Sequence, residues 1–138
     1  MSERRTMIEF LHPEGWAPPR GYANGTAATG RVVFTAGQIG WNPRTGEFET
    51  DDFAAQVGQA LRNVAAVLAE AGARPEHVTR LTWYVTDRDA YLQAGRALGE
   101  AYRAVFGRHY PAMAVVVVAA LLEARAWVEI EATAVIPA

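Results

Sequence analysis

Two carboxylates stand two residues apart in an otherwise apolar segment, Val128-Glu129-Ile130-Glu131-Ala132. On an extended strand that spacing puts both on one face, roughly 7 Å apart, with Trp127, Thr133 and Val135. Val128, Ile130, Ala132 and Ala134 then line the other face. A carboxylate drawn out of water favours its protonated form and suits acid-base work on a bound water. Two cannot easily be desolvated together, so one of the pair is expected to be paired or exposed. The plainer reading is a half-solvated strand with two surface acids. A second segment, Phe34-Thr35-Ala36-Gly37-Gln38-Ile39-Gly40, leaves a strand through a Gly-rich turn. Gly37 would let a ligand approach backbone N–H groups able to hold an oxyanion or a carboxylate; equally, it would serve as an ordinary strand exit. The segment is no dinucleotide fingerprint or phosphate loop, because no G-x-G-x-x-G opens a helix and no Walker Lys is present.

Absences narrow the chemistry further. The 138 residues contain no Cys, all 13 basic residues are Arg, and the only Ser is Ser2. Lys Schiff bases, Cys nucleophiles and a Ser-His-Asp triad are excluded. His12, His77 and His109 lie far apart with no metal-ligand spacing, so no metal is expected. Arg103, Arg108 and His109 form a small positive group that would complement a helix C-terminus. Net charge is −2 and the pI about 5.9, which gives no basic field for nucleic acid. No apolar run of spanning length and no signal-peptide pattern occurs, so no membrane partner and a cytoplasmic location are expected.

The elements that must position these residues follow from periodicity. One domain over 1–138 is expected, with 1–20 an irregular N-terminal segment that includes a short strand over Thr6–Phe10. Tyr22–Thr29 reads as a weak strand and Arg31–Ala36 as a stronger one. Gly37–Gly46 reads as a loop. A helix from about Asp51 to Ala71 carries Phe53, Val57, Ala60, Leu61, Val64, Val67, Leu68 and Ala71 as one apolar stripe, capped by Thr50 or Asp51 and leaving at Gly72. In the strand Val78–Thr86, Leu81, Trp83 and Val85 face one way. A second helix, Arg88–Phe106, is capped by Thr86 or Asp87 and ends at Gly107. Ala112–Leu122 and Trp127–Ile136 complete the sheet. This ββαβ-αββ order puts both helices on one face of a mixed sheet. Val115 to Val118 is apolar at every position, so that strand is expected to be buried on both faces. Burial against further copies of the chain would cover the second face, in a closed homo-oligomer.

Taken together, these segments resemble the RidA family, also called YjgF or L-PSP proteins. The resemblance rests on Phe34-Thr35-Ala36-Gly37-Gln38-Ile39, Asn42-Pro43-Arg44-Thr45-Gly46, and Gln56 with Leu61-Arg62-Asn63-Val64. It continues through Ala71-Gly72, Thr82-Trp83-Tyr84-Val85-Thr86-Asp87, Tyr110-Pro111-Ala112 and Val128-Glu129-Ile130-Glu131-Ala132, in family order. It implies a chorismate-mutase-like α/β (α+β) fold with an about six-stranded mixed sheet. It also implies a homotrimer with a central barrel and a small-molecule cleft between subunits. The implied activity is cofactor-independent hydrolysis of reactive enamines and imines to a keto compound and ammonia; other members have been described as endoribonucleases, translation inhibitors or chaperone-like proteins. By the same resemblance Glu129 would position the attacking water, and Tyr22, Ala36, Gly37 and Ala114 would line the site. The role of Glu131 is open. The chain departs from the pattern at one decisive place: the Arg that follows Pro-Ala and forks onto the substrate carboxylate is Met113. Gly99 stands where an Asn often lines the pocket, and the second helix is about a turn longer than usual. Met supplies a flexible apolar wall in place of a bidentate cation. A simple 2-imino acid is therefore not the expected substrate, unless Arg20, Arg31 or Arg125 reaches in from elsewhere. The alternative is a non-catalytic trimeric protein binding a metabolite in the same cleft.

Overall fold

Alternation along Val78–Val85 builds the central strand of the molecule. In the computed structural model, which describes residues 8–138, this strand (β5) runs antiparallel to β7 (Val128–Ile136) and parallel to β6 (Ala112–Val117). Strand β3 (Arg31–Phe34) pairs with the far side of β7, giving the order β3-β7-β5-β6, and β4 (Gln38–Ile39) joins the same side of β7 further along. The parallel β5–β6 pair requires a crossover, supplied by helix α2 (Arg88–Phe106). The main sheet thus has five strands. The first two, β1 (Glu9–Leu11) and β2 (Gly25–Ala27), pair with each other in a separate ladder. The expected N-terminal strand falls partly on Thr6 and Met7, which lie outside the described residues.

Both helices lie on one side. Leu81, Trp83 and Val85 of β5 and Val128, Ile130 and Ala132 of β7 form the core with α1 (Phe53–Glu70) and Tyr102 and Phe106 of α2. Helix α1 buries Phe53, Val57, Ala60, Leu61, Val64 and Leu68, whereas Val67 is at the solvent edge of the stripe. Its cap is Asp52, whose Oδ2 accepts the Ala55 N–H at 2.9 Å. Thr50 acts one step earlier, accepting the Asp52 N–H at 3.0 Å, so neither Thr50 nor Asp51 caps the helix. Gly72 takes φ +80° after the C-cap, a left-handed turn that Gly adopts without steric cost.

Helix α2 is capped by Asp87 and stopped by Gly107, but it is not continuous. Gly95 has φ 51° and ψ −120°, which breaks the helix after two turns. The tyrosines on either side of this break, Tyr91 and Tyr102, both reach Trp83.

Gln56 is fully buried and ties three segments together. Its Nε2 donates to the carbonyls of Thr50 and Arg125 at 3.0 Å each, and its Oε1 accepts the Trp127 N–H at 2.8 Å. Gln56→Leu should cost about 3 kcal/mol in denaturant unfolding, because it strands buried backbone groups while keeping the volume. A loss under about 1 kcal/mol would mean that water replaces the amide.

Candidate active site

The site begins where β3 becomes β4. Phe34 pairs with Thr133 and Gln38 with Ile130, so Thr35, Ala36 and Gly37 stand opposite only Glu131 and Ala132. One extra residue bulges the strand, a device that re-aims backbone and side chains. Thr35 anchors the bulge: its N–H donates to the Ala132 carbonyl at 2.9 Å and its Oγ1 accepts the Ala132 N–H at 3.0 Å. Beyond it, Asn63 of α1 donates to the carbonyls of Ile39 and Trp41, each at 3.0 Å. Gly40 lies flat on α1, where an added Cβ would fall 2.6 Å from the Gln56 carbonyl oxygen. The bulge is therefore held from both ends.

What it presents is Gly37 against Glu129. A Cβ at Gly37 would overlap the Glu129 carboxylate oxygen Oε2. Glu129 stands beside Tyr84, and Glu131 beside Thr82, on the sheet face away from the helices. Both acids are partly exposed in the single chain. Ala36 lies exposed on the bulge, where its carbonyl accepts the Gln38 Nε2–H at 3.3 Å. Ala114, in register with Thr82, faces the same open side.

Met113 and Tyr22 are elsewhere. Met113 is in register with Leu81, so it points to the helix side. There a cavity of about 420 Å³ is lined by Met113, Tyr22, Trp83, Tyr102 and Tyr110, with Gly95 and Gly99 of α2 and Arg20 and Arg103 also on its wall. Met113 and Tyr22 thus share one pocket; Gly37 and Glu129 form a second group across the sheet, with Ala36 and Ala114 beside it. The two groups do not meet within one chain.

The aromatic wall was not foreseen as a site. Trp83, Tyr102 and Tyr110 form a stack, with 19° between the Trp83 and Tyr102 planes and 11° between those of Tyr102 and Tyr110. Tyr91 meets Trp83 edge-on at 89°. Tyr102 donates to the His109 carbonyl at 2.6 Å, and burial, with Tyr110 adding to it, pushes its phenol well above the usual tyrosine range. Tyr102 therefore keeps its proton as a fixed donor. In sequence Trp83 reads as one face of a strand and Tyr110 as part of the family motif; in the structure Trp83 and Tyr102 are buried. The one signal they gave was the number of polar-tipped rings.

Of the three candidate arginines, Arg20 reaches the cavity wall. Arg125 is committed to Asp51 at 2.7 Å and lies over the Phe48 ring. Arg31 sits at the outer end of β3, opposite Ile136. The histidines are in local hydrogen bonds: His77 Nδ1 accepts the Arg74 N–H and the His109 ring meets the Val78 carbonyl.

Comparison with known proteins supports the fold. The family model described as Endoribonuclease L-PSP matches residues 15–136. The chain belongs to the RidA/YjgF/L-PSP family. Among relatives of this RidA-family chain, the 2-iminobutanoate/2-iminopropanoate deaminase of Escherichia coli (strain K12) is 37% identical over 109 residues, covering 77% of this chain and 80% of the relative. A RutC family protein of Pyrococcus horikoshii is 33% identical over 128 residues, covering 93% and 98%. A Rid-family protein of unknown function from Yersinia pestis superposes with TM-score 0.82 at 31% identity, covering 95% of this chain and 100% of that one. The Escherichia coli YjgF structure, 37% identical, superposes at 0.65 over 83% and 87%. Among the described residues no helix is long and apolar enough to cross a membrane.

Proposed function

We propose that this chain is a cofactor-independent hydrolase of a reactive enamine or imine-type small metabolite, working in a cleft between subunits of a homotrimer. The observation that carries the reading is the packing of Gly37 against Glu129, which sets a backbone segment with no side chain directly against a carboxylate on an open sheet face. Water held by Glu129 adds to the imine carbon as Glu129 takes its proton, and the Glu129 carboxyl then passes that proton to the nitrogen. The resulting carbinolamine expels ammonia and leaves a carbonyl. No electron acceptor is needed.

Two features support assembly. Glu129 and Met113 lie on opposite sides of the sheet, so one chain cannot present both to one small molecule. The open face also carries Val32, Phe34 and Val116, which are 50%, 71% and 42% exposed in the single chain. A neighbour's Glu129 face brought against the Met113 cavity would cover these side chains and complete the cleft. RNA is a poor fit to a chain with no Lys and a net charge of −2.

Met113 favours one further reading. With no bidentate cation in the expected place, the cleft would bind a metabolite without turning it over. The experiment is ammonia release from freshly generated imines, short and bulky, by the native chain and Met113→Arg. Hydrolysis of a bulky imine by the native chain, with the shortest substrate gained only by Met113→Arg, is the expected result. Ligand-induced thermal stabilisation with no product from any imine would favour the binding protein instead.

A further inference from the structure

Trp83 is 3% exposed, yet its Nε1 is a buried side-chain donor without a hydrogen-bond partner among the described residues. A buried indole N–H left unmade is costly and is normally satisfied. Trp83 lines the Met113 cavity. The Nε1 atom itself is closed to water, so a ligand in the cavity meets the indole ring and not its N–H.

Two further observations define that ligand. Arg103 lies on the cavity wall, and its guanidinium crosses Gly99: an added Cβ at Gly99 would fall 2.9 Å from Arg103 Nη1. The missing side chain at 99 is what gives Arg103 its course along the wall. Neither Arg103 nor Arg20 makes an ion pair or side-chain hydrogen bond among the described residues, whereas Arg74 and Arg125 each hold an acid. Both are free to take an anion. Behind them the wall is flat and aromatic, with the Trp83, Tyr102 and Tyr110 planes nearly parallel.

We infer that Arg103, seated over Gly99, is the carboxylate anchor of this chain in place of Met113, and that the cavity selects carboxylates carrying an aryl or similarly flat apolar body. Arg103 and Arg20 take the carboxylate at the mouth. The ring of the ligand lies against Met113, Trp83 and the tyrosines. A short carboxylate such as pyruvate can reach Arg103 but leaves the aromatic wall uncovered. As a statement about substrate this rests on the hydrolase reading; as a statement about binding it does not.

The test is calorimetric binding of phenylpyruvate, pyruvate and uncharged phenylacetamide to the native chain and to variants of confirmed melting temperature. The native chain should bind phenylpyruvate on the order of tenfold tighter than pyruvate. Arg103→Met should lose about that factor for phenylpyruvate and nothing for phenylacetamide. Gly99→Asn, which displaces the guanidinium, should lose it too. Adding Met113→Arg to Arg103→Met should restore phenylpyruvate binding, an outcome a merely structural role for Arg103 would not give. Equal losses for both aryl ligands, no loss for either, or pyruvate binding as tightly as phenylpyruvate would overturn the inference. Selective phenylpyruvate binding without hydrolysis of the matching imine would keep the anchor and sink only the hydrolase reading.

Discussion

Glu129→Gln lowers turnover of whichever imine the native chain accepts by about a hundredfold to ten-thousandfold, the range in which a positioned acid-base group contributes. The amide keeps the size of the side chain and its place against Gly37 but cannot take a proton from water. Glu129 is partly exposed and free of ion pairs among the described residues, so stability should move by no more than about 0.5 kcal/mol. Gly37→Ala approaches the same group from the other side. Its Cβ would overlap Glu129 Oε2 and crowd Cδ and Cγ at 2.7 and 2.8 Å, so the whole Glu129 side chain would be pushed aside. Activity should fall while the fold persists. Glu131→Gln serves as the comparison, since Glu131 faces Thr82 further along the strand and the atoms nearest an added Cβ at Gly37 all belong to Glu129. Unchanged turnover in Glu129→Gln would remove Glu129 from the chemistry.

The sequence carried most of the scaffold because its signals are local. Asp87 and Gly107 bracket α2, and the helix indeed spans Arg88–Phe106. The alternation at Val78–Val85 sets the faces of β5, and through register the faces of β6 and β7. Other features had no local signature. Gly95 sits inside a helical pattern, and nothing in one sequence distinguishes a tolerated Gly from one at φ 51°. Strand β6 ends at Val117 although the apolar run continues to Leu122, which is 97% exposed; apolar composition does not say where a ladder stops. The bulge at Thr35–Gly37 depends on register against β7, a long-range pairing. The largest gap was the direction of Met113. The motif placed it at the site, but only its pairing with Leu81 shows that it points to the helix side, into an aromatic cavity, away from Glu129.

That separation makes the second large effect an assembly effect. Phe34 is 71% exposed on the open face, beside Thr133 of β7 and close to the strand that bears Glu129 and Glu131. Phe34→Asp puts an unpaired charge into the proposed interface, next to existing acids, where burial without a partner costs several kcal/mol. The native chain should sediment as a trimer and Phe34→Asp as a monomer at micromolar concentration, with far-ultraviolet circular dichroism unchanged because the side chain touches no core. Hydrolysis should vanish with the trimer although every residue of both site groups is intact. A monomer that retained activity would place the whole site in one chain. Mixed assembly separates this from simple destabilisation. Trimers formed from equal amounts of Glu129→Gln and a cavity-filling Met113→Trp chain should regain activity in about a quarter of their clefts, where an intact Glu129 meets an intact cavity across the interface. If each site belonged to one chain, every cleft in the mixture would carry one defect and mixing would restore nothing.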